Sequence, residues 1–438
     1  ADRIPYIFES APRGALFFFV QDSRGCRAPC IRTPSTATLS GLDSRMKLLV
    51  FAHIPPPHHG QSQMVEYIVE GLRRRTELGI EIHHVDARLS GDLKDVGTAR
   101  GGKITRLIHH CREALRQGRR HGIQSLYYVP SPPRRVPLYR DWMALALLRR
   151  AFPNLIYHWH SAGLGDWIET SATPPERVLS QRLLGYPELS LVLAEVLRRD
   201  AVQLGSKRIE VVNNAVLDPC PDFHKGVWNR RSNRLDRLRS EGGTVEVLFL
   251  ALCSEDKGLF DAVEAIRRAN LQSRTSGSRL QFRLSVAGGF PDGTTEHRFR
   301  ELISSPEHAG SVRYIGFLKG VEKQAAMFGS DVLLFPSYYA FETHPLSLVE
   351  AMAHGLQIVA TRWRGIPEML PDGLANLVEP RNPGALAQGL MESISSDQGQ
   401  RLRERYERRY TLDRFLERLS EALRTVDQGT TPTGDSHS

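Results

Sequence analysis

Two glutamates and a helix start form the part of this 438-residue chain that is best suited to chemistry. A buried strand is predicted to end at Phe335, and Pro345 stands where proline is favoured at the start of a helix, with Thr343 placed to help cap it. Glu342 comes just before that helix and Glu350 lies in its second turn. The helix start has a positive dipole end and free backbone N–H groups, so it predicts an anion site suited to phosphate. The residues expected to offer those groups include His344, Leu346 and Ser347.

The two carboxylates extend this site beyond the phosphate. Carboxylate oxygens accept hydrogen bonds, so the paired hydroxyls of a ribose or a hexose are natural partners for Glu342 and Glu350. Taken singly, each glutamate is better explained as complementing the helix dipole, an interaction worth about 0.3–1 kcal/mol. The segment predicts a site for phosphate and sugar only when its residues are taken together.

Other candidate residues lie where strands are predicted to end. Lys257 follows a buried strand, where a lysine is usually a solvated residue near a helix cap. Gly60 precedes a helix, and a glycine there lets the backbone approach a ligand closely. His160 ends a strand in the segment HWHSAG, and we expect His158 to point to the opposite side of that strand. A lone histidine at a strand end is more often structural.

Short apolar strands alternate with helical stretches along most of the chain, which favours parallel sheets joined by right-handed crossovers. The strands fall into two sets, separated near 218–243 by prolines, a basic run and two glycines. This pattern predicts an α/β protein with two doubly wound domains, whose ligands bind beyond the carboxyl ends of the strands. The expected divisions are a disordered or upstream extension (1–45), an N-terminal domain (46–220), a linker (221–243), a C-terminal domain (244–395), a helical segment (396–426) and a disordered tail (427–438).

The charge of the chain is uneven. There are 58 basic and 49 acidic residues, and residues 46–220 hold 24 basic and 17 acidic residues, a net charge of +7. Such a one-sided field favours an anionic membrane surface, a polyanion or an acidic substrate, unless it is simply a solvated arginine-rich surface. No uncharged apolar run approaches the roughly 18 residues of a membrane span. Five cysteines cannot form a disulfide framework, and Cys26 and Cys30 lack the further ligands of a structural zinc site.

The segment around the two glutamates resembles the E-x7-E region of glycosyltransferase family 4, the retaining enzymes of the GT-B fold. Glu342 and Glu350 have that spacing, and the stretch AMAHGLQIVATRWRGIPEML, which contains Glu368, is similar to the family pattern EAMACGxPVVAT…GGxxE. The likeness extends over roughly residues 47–425 and is strongest over 245–380. It implies two Rossmann-like domains that face each other across a cleft. The second would bind the donor, the first would bind the acceptor, and the helical segment would pack back across both.

The same resemblance assigns roles to the candidate residues. Lys257 matches the lysine that binds the donor diphosphate, and His160 matches the histidine that faces the donor sugar across the cleft. Gly60 matches the second glycine of the family's proline-then-glycine loop. Gly316 and Phe317 match the turn whose backbone meets the nucleotide base.

By the same resemblance, Glu342 would orient the hexose and steady developing charge, and Glu350 would hold the ribose. Asn214, in the segment VVNNAV, is similar to the family's IPNGV turn and is a further binding candidate. One position departs from the pattern, because family members often carry an arginine five residues before the lysine and this chain has Leu252 there. The chain has no D-x-D motif, so we expect no metal ligands and no cofactor. Lys257 and the helix start would instead neutralise the leaving diphosphate.

The sequence therefore predicts a retaining, metal-independent hexosyltransferase. It would use a nucleoside-diphosphate sugar and a glycan or lipid-linked acceptor, in making surface polysaccharide, lipopolysaccharide or glycolipid. We expect a cytoplasmic protein, with peripheral contact to the anionic inner membrane face as one interpretation of the basic first half, and no nucleic-acid partner. The alternatives are a non-catalytic basic binding protein on a degenerate GT-B scaffold and a nucleotide-sugar epimerase. The E-x7-E spacing argues against the epimerase.

Overall fold

The computed structural model describes residues 45–56, 60–89 and 101–427. The predicted extension before residue 45 and the predicted tail from residue 428 lie outside these ranges, as do Cys26 and Cys30. Within them, no helix is both long and apolar enough to cross a membrane.

The first half of the chain forms one parallel sheet with helices around it. Its strands are β1 Met46–Phe51, β2 Ile80–Val85, β3 Ser125–Tyr128, β4 Asn154–His158, β5 Leu189–Val192 and β6 Ile209–Val211. Its helices are α1 Gly60–Arg74, α2 Gly101–His121, α3 Arg135–Leu148, α4 Leu164–Thr170, α5 Pro174–Leu184 and α6 Arg199–Gln203. The spatial order is β2-β1-β3-β4-β5-β6, with every neighbouring pair parallel.

The second half repeats this architecture. Its strands are β7 Gly243–Leu250, β8 Leu280–Ala287, β9 Val312–Gly316, β10 Val332–Phe335, β11 Gln357–Thr361 and β12 Asn376–Val378, in the order β12-β11-β10-β7-β8-β9. The helices are α7 Val227–Glu241, α8 Leu259–Thr275, α9 Gly293–Ser304, α10 Gly320–Phe328, α11 Leu346–His354, α12 Ile366–Met369, α13 Pro383–Ser395, α14 Gly399–Arg409 and α15 Leu412–Asp427.

The central strands are apolar because helices cover both faces of each sheet. In β1, Leu48 and Val50 pack into one core cluster while Leu49 and Phe51 pack into another on the opposite face. A strand buried on both faces loses the alternation of apolar and polar residues and shows a continuous apolar run. Runs of this kind between helical stretches predicted the two doubly wound sheets, and the structure confirms that fold class.

The segment 221–243, predicted as a linker, contains helix α7. Leu235 and Leu238 are its contribution to the core of the second sheet. Much of its anchoring is polar, since Arg234 Nη2 lies 2.8 Å from Asp331 and Arg231 donates to backbone carbonyls at the end of α10 and just beyond it. A helix that is anchored by arginines has few regularly spaced apolar residues. For that reason the sequence pattern of α7 indicated a linker between the two domains and not a helix.

The two C-terminal helices contact different halves of the protein. In α14, Leu402 and Tyr406 pack into a core cluster of the second sheet, and Arg403 forms an ion pair with Asp218 at 2.6 Å. In α15, Leu416 and Leu419 join the core of the first sheet. A Cβ placed on Gly71 of α1 would come within 2.6 Å of the Leu416 side chain, so α1 and α15 are in close contact.

We expect Leu419→Ala to lower the free energy of unfolding by about 2–5 kcal/mol, because it removes a fully buried side chain and leaves a cavity. Leu271→Ala is the matched control, since Leu271 also lies in a helix but is half-exposed. It should change stability by about 0.5 kcal/mol or less. Urea denaturation followed by circular dichroism measures both. Equal midpoints for the two variants would show that α15 does not stabilise the first sheet.

Candidate functional site

The loop after β10 leads into α11 at the carboxyl end of the second sheet. Pro345 is the N-cap residue of α11, and among the described residues no side chain caps this helix. Thr343, predicted to help cap it, lies two residues before the N-cap position and donates from Oγ1 to the carbonyl of His160 at 3.2 Å. That expectation was wrong. Leu346 and Ser347, in the first turn, are partly exposed. The first backbone N–H groups of a helix have no partner within it.

An ion pair between Lys257 and Glu342 lies beside this helix start. Lys257 Nζ is 2.6 Å from Glu342 Oε2, and Ser337 Oγ donates to the same oxygen at 2.6 Å. Both charged side chains are largely buried, with 16% and 7% of their areas exposed. The ammonium also lies 4.5 Å from the ring centroid of Tyr339. A buried carboxylate is stable only when it is paired with a positive charge. The ion pair with Glu342 therefore holds Lys257 beside the start of α11.

A close backbone approach brings Lys257 to this loop. Gly258 has a φ of +76°, and a Cβ there would lie 2.3 Å from the carbonyl oxygen of Pro336. The backbone N–H of Tyr338 donates to the carbonyl of Asp256 at 2.8 Å. Glycine is therefore required immediately after the lysine, since any side chain would push the segment that carries Lys257 away from the loop after β10.

Glu350, in the second turn of α11, lies beside a second lysine. Burial raises the pKa of Glu350, and hydrogen-bonded Lys323 of α10 acts in the opposite direction. Burial also raises the pKa of Tyr67 in α1, and the charge of Glu350 raises it further. A helix of the first half therefore lies close to Glu350. Lys323 was not predicted from the sequence, because a lone lysine in an amphipathic helix carries no spacing signal.

His160 and His158 lie on the opposite side of the cleft, at the end of β4. Their ring centroids are 4.2 Å apart. Our expectation that they point in opposite directions was wrong, because residues two apart on a strand share a face. His158 is fully buried, and its Nδ1 lies 2.7 Å from the hydroxyl of Tyr127. Burial lowers the pKa of His158 well below its usual value, with the neighbouring His160 acting in the same direction.

Several residues of the predicted site join the two halves of the protein. A Cβ on Gly60 would lie 3.8 Å from Leu346 Cδ1, so the first turns of α1 and α11 meet across the cleft. Asn214 is buried, and its Nδ2 donates to the carbonyl of His344 at 2.9 Å. These two contacts thus join the halves near the start of α11.

A further contact between the halves was not predicted. The two carboxylate oxygens of Glu368, in α12, accept the backbone N–H groups of Glu195 and Val196 at 2.8 and 2.7 Å. Those N–H groups begin a short 3-10 turn in the first half. A carboxylate at a helical N-terminus is favourable, so Glu368 stabilises the two halves in this arrangement. The family pattern includes Glu368, but the contact could not be predicted because Glu195 is 173 residues away in sequence.

The side chain of His344 faces inward rather than into the cleft. It is 2% exposed, its ring centroid lies 5.2 Å from that of Tyr410, and within the described ranges neither ring nitrogen has a hydrogen-bond partner. Burial lowers its pKa to about 3. Any contact of His344 with a ligand would therefore come from its backbone.

The remaining predicted residues lie farther along the same sheet edge. Gly316 ends β9, three strands away from β10, and has a φ of +84°. Phe317 after it and Leu252 after β7 are about half-exposed apolar side chains. Of the arginines near α12, Arg362 pairs with Asp372 and Arg364 lies over the ring of Trp363. The predicted residues thus form two groups. Lys257 and Glu342 are charged and lie beside α11, whereas Leu252 and Phe317 are apolar and lie at the ends of β7 and β9.

Comparisons with known proteins agree with this architecture. Residues 232–411 match the family Glycosyl transferases group 1, which confirms the resemblance predicted from the sequence. Over 160 residues the chain is 32% identical to WcaL of Salmonella typhimurium, named for glycosyltransfer in colanic acid biosynthesis. That match covers 35% of this chain and 37% of WcaL, so the chain spans little more than a third of this curated relative.

The fold extends over most of the chain. A glycosyltransferase from Rickettsia africae has a TM-score of 0.63 at 12% identity, covering 88% of this chain and 100% of that one. Anabaena HepE, solved in complex with UDP, has a TM-score of 0.60 at 15% identity, covering 87% of this chain and 100% of HepE. The GT-B fold is thereby confirmed.

The buried neutral His344 predicts a pH dependence of stability. Its pKa is about 3 when folded and about 6.5 when unfolded, so the unfolded chain binds the extra proton between these values. The free energy of unfolding should therefore fall as the pH falls from 6.5 towards 3. The contribution of this one group is about 1.4 kcal/mol per pH unit.

His344→Phe should reduce that slope in urea denaturation measured from pH 7 to pH 4, while the exposed control His297→Phe should leave it unchanged. A slope that is the same in His344→Phe as in the wild type would show that His344 is not buried in its neutral form.

Proposed function

We propose that this protein is a glycosyltransferase that moves a sugar from a nucleoside diphosphate to a glycan or lipid-linked acceptor, with retention at the anomeric carbon. The observation that carries this proposal is the pairing of Lys257 with Glu342 at the uncapped start of α11. A lysine and a carboxylate are paired there, just before a helix start that no described side chain caps.

The diphosphate of a donor would bind at that helix start and compete with Glu342 for Lys257. Its negative charge would be met by the ammonium and the backbone N–H groups, and these also stabilise the charge that develops as the nucleoside diphosphate leaves. Release of Lys257 would free Glu342 to accept a hydrogen bond from a hydroxyl of the sugar. The same two residues would thus bind the leaving group and orient the group transferred.

Glu350 is proposed to hold the ribose. Its carboxylate lies one turn farther along α11 than the start where the diphosphate would bind, and Lys323 contacts it from α10. Lys323 would keep Glu350 ionised, against the burial that raises its pKa, and an ionised carboxylate accepts from both ribose hydroxyls.

His160 would approach the sugar from the opposite side of the cleft, where Thr343 Oγ1 already contacts its backbone. Closure of the two halves would exclude water from the transfer. Likeness to WcaL supports an acceptor used in surface polysaccharide synthesis, and likeness to HepE makes a uridine nucleotide the first donor to test.

Leu252 leaves the donor site with one cation fewer than the family pattern. Arg134, in the loop after β3, is a candidate to supply it from the first half. Burial raises the pKa of Tyr339, and the positive charge of Arg134 acts against that rise, so Arg134 lies within electrostatic range of the ring that contacts Lys257. This favours a complete transfer site over a degenerate, non-catalytic scaffold.

Binding of one class of nucleotide sugar should raise the melting temperature of the metal-free protein. A panel of UDP-, GDP-, ADP- and TDP-sugars identifies the base, and at 100 times Kd the stabilisation is about 2.7 kcal/mol. Lys257→Ala should abolish the shift and lower turnover roughly 10²–10³-fold. The control Lys225→Ala, at an exposed lysine, should behave as the wild type. A shift that is retained in Lys257→Ala would contradict the assignment.

We also propose that transfer is independent of metal, because Lys257 and the start of α11 supply the positive charge that a divalent ion would provide. Turnover should be the same with EDTA as with added manganese, measured by release of the nucleoside diphosphate. Activity that EDTA abolishes and manganese restores would contradict this proposal.

The acceptor side is proposed to contact an anionic membrane surface. Helix α3 exposes a stripe of large apolar residues, and α5 beside it exposes two more: Val136, Tyr139, Met143, Leu147, Val178 and Leu179. Basic residues border this apolar surface, including exposed Arg150. An apolar stripe with flanking arginines matches the chemistry of an anionic lipid interface.

Vesicles that contain phosphatidylglycerol should sediment the protein at low salt, and phosphatidylcholine vesicles should do so much less. The double substitution Met143→Glu and Leu147→Glu should weaken binding at least tenfold, because it places charge in the apolar stripe. Leu271→Glu, at an exposed leucine of α8, is the control and should bind as the wild type. Equal binding by both variants would exclude α3 as the contact surface.

A further inference from the structure

A group of potential metal ligands lies at the amino end of the first sheet, away from the transfer cleft. Glu81 and His83 are two residues apart on the edge strand β2, so they share one face of the sheet. His121 is the last residue of α2, just before β3 begins. The residues of the cleft lie at the carboxyl ends of the strands, so this group is separate from the proposed transfer chemistry.

The three side chains already converge. Glu81 Oε1 lies 2.7 Å from His83 Nε2, and the ring centroids of His83 and His121 are 4.4 Å apart. One ligand atom from each residue lies within 4.8 Å of the others. All three residues are partly exposed, and they border or adjoin a surface cavity of about 530 Å³, so an ion can reach them from solvent.

We propose that Glu81, His83 and His121 bind a divalent transition-metal ion, with zinc as the best match. Two imidazoles and one carboxylate, with water in the fourth position, form a donor set that zinc accepts. Ligand bonds of about 2.0–2.2 Å around a tetrahedral ion place the ligand atoms about 3.4 Å apart. Since all the ligand atoms lie within 4.8 Å of one another, no separation in the group must shorten by more than about 1.4 Å. The proton that His83 shares with Glu81 would be replaced by the metal.

The positive charges around the group limit which cation it can hold. Of the arginines that line the cavity, Arg116 is paired with Glu113 and Arg73 with Glu70. Lys47 Nζ donates to the backbone carbonyl of His121 at 2.9 Å. The positive charges of Lys47 and Arg120 both act on His121 and oppose any cation, so only an ion that bonds strongly to imidazole would be retained. Calcium and magnesium, which prefer oxygen ligands, do not fit this group.

The bound ion would join the end of α2 to the edge strand. In the structure, the end of α2 and this part of β2 contact each other through the rings of His83 and His121, which are partly exposed. A metal that binds only the folded state stabilises it by mass action, so zinc should raise the melting temperature. This effect requires neither a donor sugar nor an acceptor, and it would persist even if the proposed transfer activity were wrong.

The test is calorimetric titration of ZnCl2 into the EDTA-treated and dialysed full-length chain. Wild type, His83→Ala, His121→Ala and Glu81→Gln are compared with the control His297→Ala, an exposed histidine that also pairs with a glutamate. We expect a zinc-binding event that both histidine variants weaken at least tenfold, that Glu81→Gln weakens, and that His297→Ala retains. Circular dichroism verifies that each variant is folded.

Zinc bound elsewhere, for example by Cys26 and Cys30, would be common to all five proteins and would not depend on these substitutions. Isotherms that are the same in all five proteins would overturn the proposal. If a histidine variant does not fold, Glu81→Gln and an anomalous scattering map of a zinc-soaked crystal decide instead. A zinc peak within 2.5 Å of the His83 and His121 rings supports the site, and its absence there contradicts it.

Discussion

The ion pair between Lys257 and Glu342 is the interaction on which the proposed site depends. A carboxylate as buried as Glu342 must be paired, and the partner that the fold provides is Lys257. The pair therefore fixes two mobile side chains at the open start of α11. The pair can also be broken by a ligand, because a diphosphate offers Lys257 more negative charge than one carboxylate does.

The rest of the second half positions this pair. Parallel strands place their carboxyl ends at one edge, so the loops after β7 and β10 come together although 85 residues separate the lysine from the glutamate. Gly258 allows the backbone after Lys257 to approach the backbone of Pro336 closely. Gly288, after the neighbouring strand β8, allows a similar approach, since a Cβ there would lie 1.8 Å from the carbonyl oxygen of Ala251. The first half is joined to this edge through His160, Asn214 and Glu195, whose hydrogen-bond partners Thr343, His344 and Glu368 lie in the second half.

The fold and the main residues of the candidate site were predictable because their signals are local. Apolar runs between helical patterns indicate buried parallel strands, and Glu342, Pro345 and Glu350 lie within nine residues of one another. Lys323 and the partners of Glu368 were not predictable, because each depends on a contact between distant segments. The cap predicted at Thr343 is absent because Thr343 lies two residues before the N-cap position, where its hydroxyl instead contacts the backbone of His160.

The group formed by Glu81, His83 and His121 illustrates the same limit. The i, i+2 spacing on β2 is visible in the sequence, but His121 is 38 residues farther along the chain than His83, and only the packing of α2 against the sheet joins them. Helix α7 was missed for a related reason, because arginine contacts rather than an apolar stripe hold it in place.

The central claim is that a donor diphosphate takes Lys257 from Glu342. A crystal structure of the protein with a bound nucleoside diphosphate tests it most directly. We predict that Lys257 Nζ moves from Glu342 to a phosphate oxygen, with the diphosphate at the N–H groups of α11. A nucleotide bound elsewhere, with Lys257 still 2.6 Å from Glu342, would contradict the account.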